Sequence, residues 1–247
     1  MISVESLAKN YGEFAAVSDL SFDVVPGEIL GLIGPNGAGK TTTLRMLAGV
    51  HAPSAGRVTI AGFDVVTHPL DAKRHLALVP DQPELFASLT VWEHLDLAAR
   101  LYQVKSWEPS ACELLDELEL GGRRDTIVAE LSRGMRQKVV LACALLHSPS
   151  ALLLDEPLVG LDPRGMRTLF AAVERRARDG AAVIISSHVL SQIERLCTRF
   201  LILRQGQRLL AGTKREIAEQ LAHLDDAASL EQLFFDATER ATSAEVN

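Results

Sequence analysis

Apolar runs of strand length alternate with segments of helical spacing along most of the chain. The five runs occupy residues 28–34, 75–80, 151–157, 181–188 and 199–206. Strands that read as continuous apolar runs are usually buried on both faces, as in parallel sheets. The alternation of such strands with amphipathic segments therefore predicts an α/β fold with a mostly parallel sheet.

The strand pattern disappears between Leu85 and His147, where apolar residues recur every three or four positions. One such set is Val91, Leu95, Leu97, Ala98 and Leu101, and a second is Cys112, Leu114, Leu115 and Leu118. This spacing is typical of amphipathic helices. The sequence thus predicts a helical insert over residues 85–147, within a core formed by residues 1–84 and 148–212.

Both ends of the chain differ from the central pattern. Residues 2–25 and 57–60 are richer in β-branched residues, with turn signals at Tyr11-Gly12 and Pro26-Gly27, and predict a small antiparallel β layer. Residues 213–247 become helical again and end in a polar tail that is expected to fray. Together these segments indicate one domain over residues 1–247.

The composition is that of a globular protein with a substantial core. The chain has 247 residues, of which 47% are hydrophobic. Its formal net charge is -7, whereas a protein that coats nucleic acid needs a broad basic face, so no nucleic-acid partner is expected. No apolar run approaches the roughly 18 to 20 residues that cross a bilayer, and the first residues lack a secretory pattern.

The three cysteines, Cys112, Cys143 and Cys197, are widely separated and odd in number. Their spacing matches neither a disulfide framework nor a metal site, so we expect free, buried thiols in a reducing compartment. This expectation favours a cytoplasmic protein.

The segment Gly34-x-x-x-x-Gly39-Lys40-Thr41 follows the first long apolar run and opens a helical segment. This is the context of a phosphate-binding loop, in which glycines let successive backbone N–H groups turn inward. In such a loop Lys40 reaches the β- and γ-phosphate oxygens, and the Thr41 hydroxyl ligates Mg²⁺. The residues assigned to the loop are Gly34, Pro35, Asn36, Gly37, Ala38, Gly39, Lys40, Thr41 and Thr42.

An acidic pair follows a later apolar run, where residues 151–154 lead directly into Asp155 and Glu156. A phosphate-binding loop needs a metal-holding acid at the end of a neighbouring strand, and Asp155 is placed to hold Mg²⁺ through water. Glu156 lies beyond the strand end, where a carboxylate can orient or deprotonate an attacking water. The pair therefore predicts hydrolysis of the bound nucleotide.

The order and spacing of these motifs resemble those of the nucleotide-binding ATPase subunits of ABC transporters over nearly the whole chain. Besides GPNGAGKT and LLLDEP, the chain carries LSRGM at 131–135, GLDP at 160–163 and His188 after VIISS. The resemblance implies a P-loop NTPase core with ATP and Mg²⁺ as cofactors. It also implies a head-to-tail dimer, of one chain or of two related chains, that serves a separate integral-membrane permease.

The resemblance assigns three residues to the contact between the two subunits. Ser132 and the backbone of Gly134 would contact the γ-phosphate bound to the other subunit, and Asp162 would link the two active sites. Each motif also has a purely structural interpretation, because Ser132 is a plausible helix N-cap and Pro163 a plausible helix start.

Two further residues gain roles from the resemblance. Tyr11 would stack on adenine, although it could simply be a tyrosine at a strand end. His188 would contact the γ-phosphate and complete a catalytic set with Lys40 and Glu156, the alternative being a histidine satisfied within the core.

Three positions depart from the family pattern. The family's glutamine loop reads VPDQP at 79–83, where Asp81 takes the place of the glutamine and Gln82 comes one residue later. Either side chain is a candidate metal ligand. The signature motif ends in Met135 rather than glutamine, and Leu158 stands where threonine or serine is usual. These variants, with residues 132–138 and 229–238, resemble subunits that serve exporter permeases.

The resulting hypothesis is an ATPase at the cytoplasmic face of the cell membrane that drives a permease, with export favoured over import. The permease would dock in a groove lined by Leu85, Phe86 and the helix that begins at residues 90–92, where Trp92 is either an interface anchor or a core residue. A soluble ABC-type ATPase with a non-transport role is the alternative, although the chain has neither two cassettes nor a long coiled-coil insert. A binding module without chemistry is disfavoured, because the catalytic residue types are all present.

Overall fold

The computed structural model describes residues 1–221 and 229–245, and two β-sheets with flanking helices form its framework. The strands are β1 (Ile2–Tyr11), β2 (Phe14–Val24), β3 (Ile29–Ile33), β4 (Ala55–Ile60), β5 (Phe63–Asp64), β6 (Leu76–Val79), β7 (Ala151–Leu154), β8 (Ala182–Ser187), β9 (Arg199–Arg204) and β10 (Gln207–Gly212). The helices are α1 (Lys40–Leu47), α2 (Pro69–Arg74), α3 (Val91–Tyr102), α4 (Glu108–Glu117), α5 (Arg133–Leu145), α6 (Pro163–Arg178), α7 (Leu190–Ile193), α8 (Lys214–Leu221) and α9 (Leu230–Glu245).

The larger sheet has the order β10-β9-β3-β8-β7-β6, and its strands run parallel except for β10 at one edge. Every residue of β3, β7 and β8 is buried, which explains why these strands read as continuous apolar runs. The prediction of an α/β fold with a mostly parallel sheet is confirmed. The apolar pattern does not predict β10, because most of its residues are exposed or half-buried.

The parallel strands bring polar and loop residues to one edge of the larger sheet. The residues that directly follow the ends of β3, β6, β7 and β8 are Gly34, Pro80, Asp155 and His188. Because the carboxyl ends of parallel strands meet at the same edge, ligands of such sheets bind there. The chain segments with candidate chemistry therefore converge outside this edge.

The smaller sheet is antiparallel, with the order β2-β1-β4-β5. Ile2, Leu7 and Leu20 are fully buried and pack in one cluster with Leu30 and Leu32 of β3. This packing fixes the β1–β2 hairpin against the larger sheet. The predicted antiparallel layer is present, and β5 extends it beyond the predicted segment.

Helices α3, α4 and α5 occupy most of the segment between β6 and β7. Thr90 caps α3 reciprocally with Glu93, whose backbone N–H donates to Thr90 Oγ1 over 3.2 Å. Leu95 of α3 and Leu115 of α4 belong to the same hydrophobic cluster as Leu152 of β7. The predicted helical pattern is therefore present, whereas the division of the chain into core, insert and extension stays a prediction.

The expectation of buried thiols is wrong for Cys112, which is exposed. Ala111, Leu114 and Leu115 occupy the inner face of α4, so Cys112 faces outward. Cys143 is partly buried, and desolvation of its thiol raises its pKa to about 12.

The C-terminal extension contains two helices, as the sequence predicts. Helix α9 continues to Glu245, and the expected fraying of the polar tail stays a prediction. Residues 222–228 and 246–247 of the predicted extension lie outside the described residues.

Candidate nucleotide-binding site

The loop between β3 and α1 forms a cradle whose two ends accept only glycine. A Cβ on Gly34 would lie 2.5 Å from the carbonyl oxygen of Leu203, and a Cβ on Gly39 would lie 2.7 Å from that of Ala16. Gly39 also has a φ of 99°, in the left-handed region. The loop leads into the first turn of α1, whose free backbone N–H groups favour an anion. The cradle therefore fits a phosphate group.

Lys40 brings a buried positive charge to this cradle. Its residue surface is 7% exposed, and its Nζ donates to the carbonyl oxygens of Gly34 over 2.8 Å and of Pro35 over 3.3 Å. The same Nζ lies 3.6 Å from Oε1 of Glu156. A nearly buried ammonium is tolerated only with polar partners of this kind. Phosphate oxygens can take the place of those partners, so Lys40 is positioned to bind them.

Asp155 is almost fully buried at the end of β7, with 3% of its surface exposed. Ser186 Oγ donates to Asp155 Oδ1 over 2.7 Å, and Thr41 makes a further side-chain hydrogen bond to this carboxyl group. Burial raises the pKa of Asp155 above its usual range, and the charges of Asp81 and Glu156 raise it further, although the two hydrogen bonds act in the opposite direction. A cation bound here would relieve the repulsion between these carboxylates.

These oxygen atoms suit a magnesium ion. Thr41 contributes a hydroxyl and Asp155 and Asp81 contribute carboxylates, which are the hard ligands that Mg²⁺ prefers. Among residues 1–221 and 229–245, no three His, Cys, Asp or Glu side chains cluster as a complete metal site. Mg²⁺ commonly binds through one or two carboxylates together with waters and substrate phosphates, and the donors present fit that mode.

Glu156 has an unusual backbone conformation and a well-defined side-chain position. Its φ of 47° lies in the left-handed region, which is uncommon for a residue with a Cβ atom. Its N–H donates to Ser186 Oγ over 2.9 Å. His188 Nδ1 lies 2.8 Å from Glu156 Oε2, and the His188 backbone N–H donates to the same oxygen over 3.3 Å. The carboxylate is therefore held between His188 and Lys40.

A cleft of about 350 Å³ opens over the phosphate cradle. Its lining residues are Tyr11, Phe14, Ala16, 36–42, Asp81 and Glu156. Tyr11 is 47% exposed, and Lys9 Nζ lies 5.2 Å from its ring centroid. Of the two candidate metal ligands in the 79–83 loop, Asp81 lines this cleft, whereas Gln82 is an exposed residue of the same loop.

The predicted subunit-contact residues lie together in a second depression of about 440 Å³, lined by Ser132, Gly134, Asp162 and their neighbours. Ser132 Oγ accepts a hydrogen bond from Met135 N over 3.2 Å, and Asp162 Oδ1 accepts one from Gly165 N over 2.6 Å. Both side chains thus cap helices, as predicted for Ser132, and α6 begins at Pro163, as also predicted. The two depressions have no lining residue in common.

Sequence reasoning does not identify three residues of the site. Ser186 joins Asp155 to the Glu156 backbone, and Gln137, only 2% exposed, donates from Nε2 to the Pro80 carbonyl over 3.2 Å. Phe14 lines the cleft beside Tyr11. The signal for Ser186 is the serine pair that ends a buried strand; the other two contacts have no local signal.

The cradle, the strand-end acidic pair and the adjacent histidine define a P-loop nucleotide-binding ATPase. The chain belongs to the ABC transporter family, whose sequence model matches residues 17–159. Within that family it is an ATP-binding subunit, and such subunits are ATPases that work with a membrane permease.

Relatives and a solved structure extend this similarity over most of the chain. The chain is 35% identical over 240 residues to the ABC-type transporter ATP-binding protein EcsA of Bacillus subtilis, covering 96% of each protein. It is 36% identical over 220 residues to the Nod factor export ATP-binding protein I of Burkholderia thailandensis, covering 88% of this chain and 72% of that protein. A solved ATP-binding subunit of an ABC transporter has a TM-score of 0.92 at 35% identity, covering 96% of this chain and 99% of that one.

Proposed function

We propose that this chain hydrolyses MgATP in the cleft over the phosphate cradle and couples the reaction to export through a separate permease. The main observation behind the proposal is that the side chains of Glu156, Lys40 and His188 lie close together. Glu156 lies 3.6 Å from the Lys40 ammonium and 2.8 Å from His188 Nδ1. A phosphate-binding cation and a positioned carboxylate are the parts that phosphoryl transfer to water requires.

Different groups of the site bind the phosphates and the metal ion. The backbone N–H groups of residues 36–41 and the Lys40 ammonium hold the phosphates. Thr41, Asp155 and Asp81 would hold Mg²⁺, which neutralises charge on the β- and γ-phosphate oxygens. Catalysis by such a site is positioning and charge stabilisation, since the protein forms no bond to the phosphate.

Glu156 carries out the proton transfer. The oxygen of the attacking water bonds to the γ-phosphorus as the bond between that phosphorus and the β–γ bridging oxygen breaks, and the water proton passes to the Glu156 carboxylate. His188 aims this carboxylate through its 2.8 Å contact and would also contact the γ-phosphate. The two groups therefore act as a base and its positioning partner.

We infer a head-to-tail dimer from the separation of the two depressions. Ser132, Gly134 and Asp162 line a surface that has no residue in common with the phosphate cleft. In a head-to-tail pair this surface of one subunit faces the cleft of the other, so Ser132 and the Gly134 backbone can contact the γ-phosphate in trans. An identical or a related chain satisfies this arrangement equally.

The proposals of a permease partner and of export are based on similarity to named relatives. One relative is named for Nod factor export, which supports export by this chain. Over residues 1–221 and 229–245, the protein has no helix with the length and apolar character of a membrane span. We therefore propose that it binds a permease at the cytoplasmic face of the membrane.

Purification from detergent-solubilised membranes tests this function. We expect the chain to co-purify with an integral-membrane protein and to show Mg²⁺-dependent ATPase activity. Recovery of an active ATPase that never associates with a membrane protein would support a non-transport role instead.

The position of Asp81 in the cleft leads to a prediction about the metal. Asp81→Ala is expected to raise the Mg²⁺ concentration that half-saturates ATPase activity by about tenfold, because loss of a metal ligand or its partner costs on that scale. Gln82→Ala is the matched control, since it alters the neighbouring exposed residue and is expected to leave the Mg²⁺ titration unchanged. A larger shift in the Gln82 variant would assign the metal contact to Gln82.

The two aromatic residues of the predicted dock, Trp92 and Phe86, differ in their surroundings. The Trp92 ring lies 4.7 Å from that of Trp107 and has the Arg124 guanidinium 3.4 Å from its centroid, so Trp92 has packing partners within the chain. Phe86 is 63% exposed, while its backbone N–H donates to His94 Nε2 over 3.0 Å. Phe86 therefore presents an exposed ring from an anchored backbone.

Phe86→Glu is expected to weaken binding to the permease by about 30-fold, because buried aromatic anchors contribute about 2 kcal/mol or more at interfaces. The measurement is the fraction of the chain that sediments with membranes, with ATP binding as the test of folding. Phe235→Glu is the control, since Phe235 is 61% exposed on α9. If the Phe86 variant stays membrane-bound, this surface is not the dock.

A further inference from the structure

The turn between β1 and β2 places two aromatic side chains at the mouth of the nucleotide cleft. Tyr11 and Phe14 are register partners at the ends of the two strands, separated by Gly12 and Glu13. Directly opposed residues of an antiparallel pair project to the same face of the sheet. Both residues line the cleft that contains the phosphate cradle. The hairpin therefore presents two neighbouring rings to one ligand space.

Phe14 is the more exposed of the two residues, at 64% against 47% for Tyr11. The Tyr11 ring has the His51 ring edge-on at a centroid distance of 6.3 Å and the Lys9 ammonium at 5.2 Å. Phe14 has no polar atom in its side chain, so a ligand can gain from it only through apolar and π contact. An exposed aromatic ring in a ligand cleft is an available stacking surface for such a contact.

Backbone contacts connect the β1–β2 hairpin to the phosphate cradle. The Ala16 carbonyl oxygen lies within 2.7 Å of the position of a Cβ on Gly39, and Ser18 N–H donates to the Gly206 carbonyl over 2.8 Å. Gly206 N–H in turn donates to the Ala38 carbonyl over 3.2 Å. The distance from the aromatic pair to the cradle is therefore set by backbone contacts, which is what a nucleotide spanning both would need.

We propose that Phe14 is a second base-binding residue, so that the purine ring of ATP is held by Phe14 and Tyr11 together. The proposal rests on the proposed function, because it takes the phosphates to lie in the cradle. With the phosphates there, the base lies further along the same cleft, against the hairpin. Phe14 covers apolar surface of the base that the Tyr11 ring leaves open to water.

The chemistry of Phe14 also defines what it recognises. A phenyl ring offers no hydrogen-bond donor or acceptor to the edge of a base, and every base has a π face. Phe14 therefore contributes equally to the binding of adenine and guanine nucleotides. It contributes nothing to the binding of a polyphosphate that lacks a base.

Isothermal titration calorimetry with the full chain tests this prediction, using nonhydrolysable analogues of ATP and GTP and inorganic tripolyphosphate as ligands. Phe14→Ala is expected to weaken the binding of both nucleotide analogues by about tenfold, which is the scale of one stacking contact. The binding of tripolyphosphate is expected to stay unchanged. Phe14→Tyr keeps the ring and is expected to retain nucleotide affinity. Phe235→Ala is the matched control, because Phe235 is 61% exposed on α9 and does not line the nucleotide cleft.

Each other outcome has a distinct meaning. Unchanged nucleotide affinity in Phe14→Ala overturns the inference, and so does an equal loss of tripolyphosphate binding, which would mean that the ring acts through the fold of the loop. Lys40→Ala separates this inference from the proposed function, since it should weaken the binding of nucleotides and of tripolyphosphate alike. If Lys40→Ala weakens the binding of neither ligand, the cradle is not the phosphate site and the proposed function itself is wrong.

Discussion

Replacing Glu156 by glutamine is expected to preserve ATP binding and to lower the rate of hydrolysis by about 10² or more. Glutamine has the shape of glutamate, and its side-chain oxygen can still accept the hydrogen bond from His188 Nδ1 that spans 2.8 Å. The amide cannot take a proton from water at neutral pH, so the chemical step slows while the site stays assembled. Removal of the carboxylate charge 3.6 Å from Lys40 also removes one group that competes with phosphates for that ammonium.

Phosphate release under saturating MgATP measures the rate, and calorimetry with ATP measures the binding. Slow hydrolysis should also let ATP-bound dimers accumulate, which size-exclusion chromatography detects as a shift to twice the monomer mass. Glu174→Gln is the control, because Glu174 is half exposed on α6, outside the cleft lining, and forms an exposed ion pair with Arg178 at 3.8 Å. Hydrolysis at the wild-type rate in the Glu156 variant would mean that another group activates the water.

The fold is predictable wherever burial imposes a local pattern. Strands β3 and β7 are buried along their whole length and contain no polar side chain, whereas the polar residues of β8, Ser186 and Ser187, come at its end. The same burial makes Asp155 conspicuous, since it ends such a strand and must have a functional or structural partner. The phosphate loop is predictable for a related reason, because steric contact at Gly34 and Gly39 excludes side chains.

Contacts between distant segments have no such local signal. Ser186 reaches Asp155 because β8 lies beside β7, a fact of strand order that the sequence of either strand does not contain. Gln137 binds the Pro80 carbonyl across 57 residues of chain. The choice between Asp81 and Gln82 likewise depends on the path of one loop, because both residues lie in a bend where no regular period decides which side chain faces the cleft.

The placement of residues on helix faces illustrates a second limit of prediction from sequence. Spacing predicts that α4 is amphipathic, but Cys112 lies next to the buried Ala111 and its own position is exposed. A cysteine is compatible with either side of the helix, so hydropathy alone cannot place it. Trp92 presents the same ambiguity: it contacts Trp107 and Arg124 within the chain but is only partly buried, so the choice between core residue and interface anchor stays a prediction.

Replacing Lys40 by alanine is expected to weaken ATP binding by about 100-fold, in contrast to the binding-competent Glu156 variant. The ammonium makes two hydrogen bonds to loop carbonyls, at 2.8 and 3.3 Å, which phosphate oxygens can replace. Hydrogen bonds to charged groups contribute about 1.5 to 3 kcal/mol each, so the loss of two corresponds to a factor of about 10² or more. Lys73→Ala is the matched control, since Lys73 is an exposed lysine in α2.

The folded state of the Lys40 variant needs its own measurement, because the change also removes the partner of Glu156 and of two carbonyl groups. Circular dichroism and the midpoint of thermal unfolding should show a folded protein before its ATP affinity is compared with wild type. Lys40→Arg provides a second test: arginine keeps the charge, but its planar guanidinium is larger than an ammonium, and this side chain occupies a site that is only 7% exposed. We therefore expect Lys40→Arg to bind ATP weakly as well, which would show that the cradle selects a compact cation and not only a positive charge. A folded Lys40→Ala protein with wild-type affinity for ATP would contradict the assignment of this loop to the phosphates.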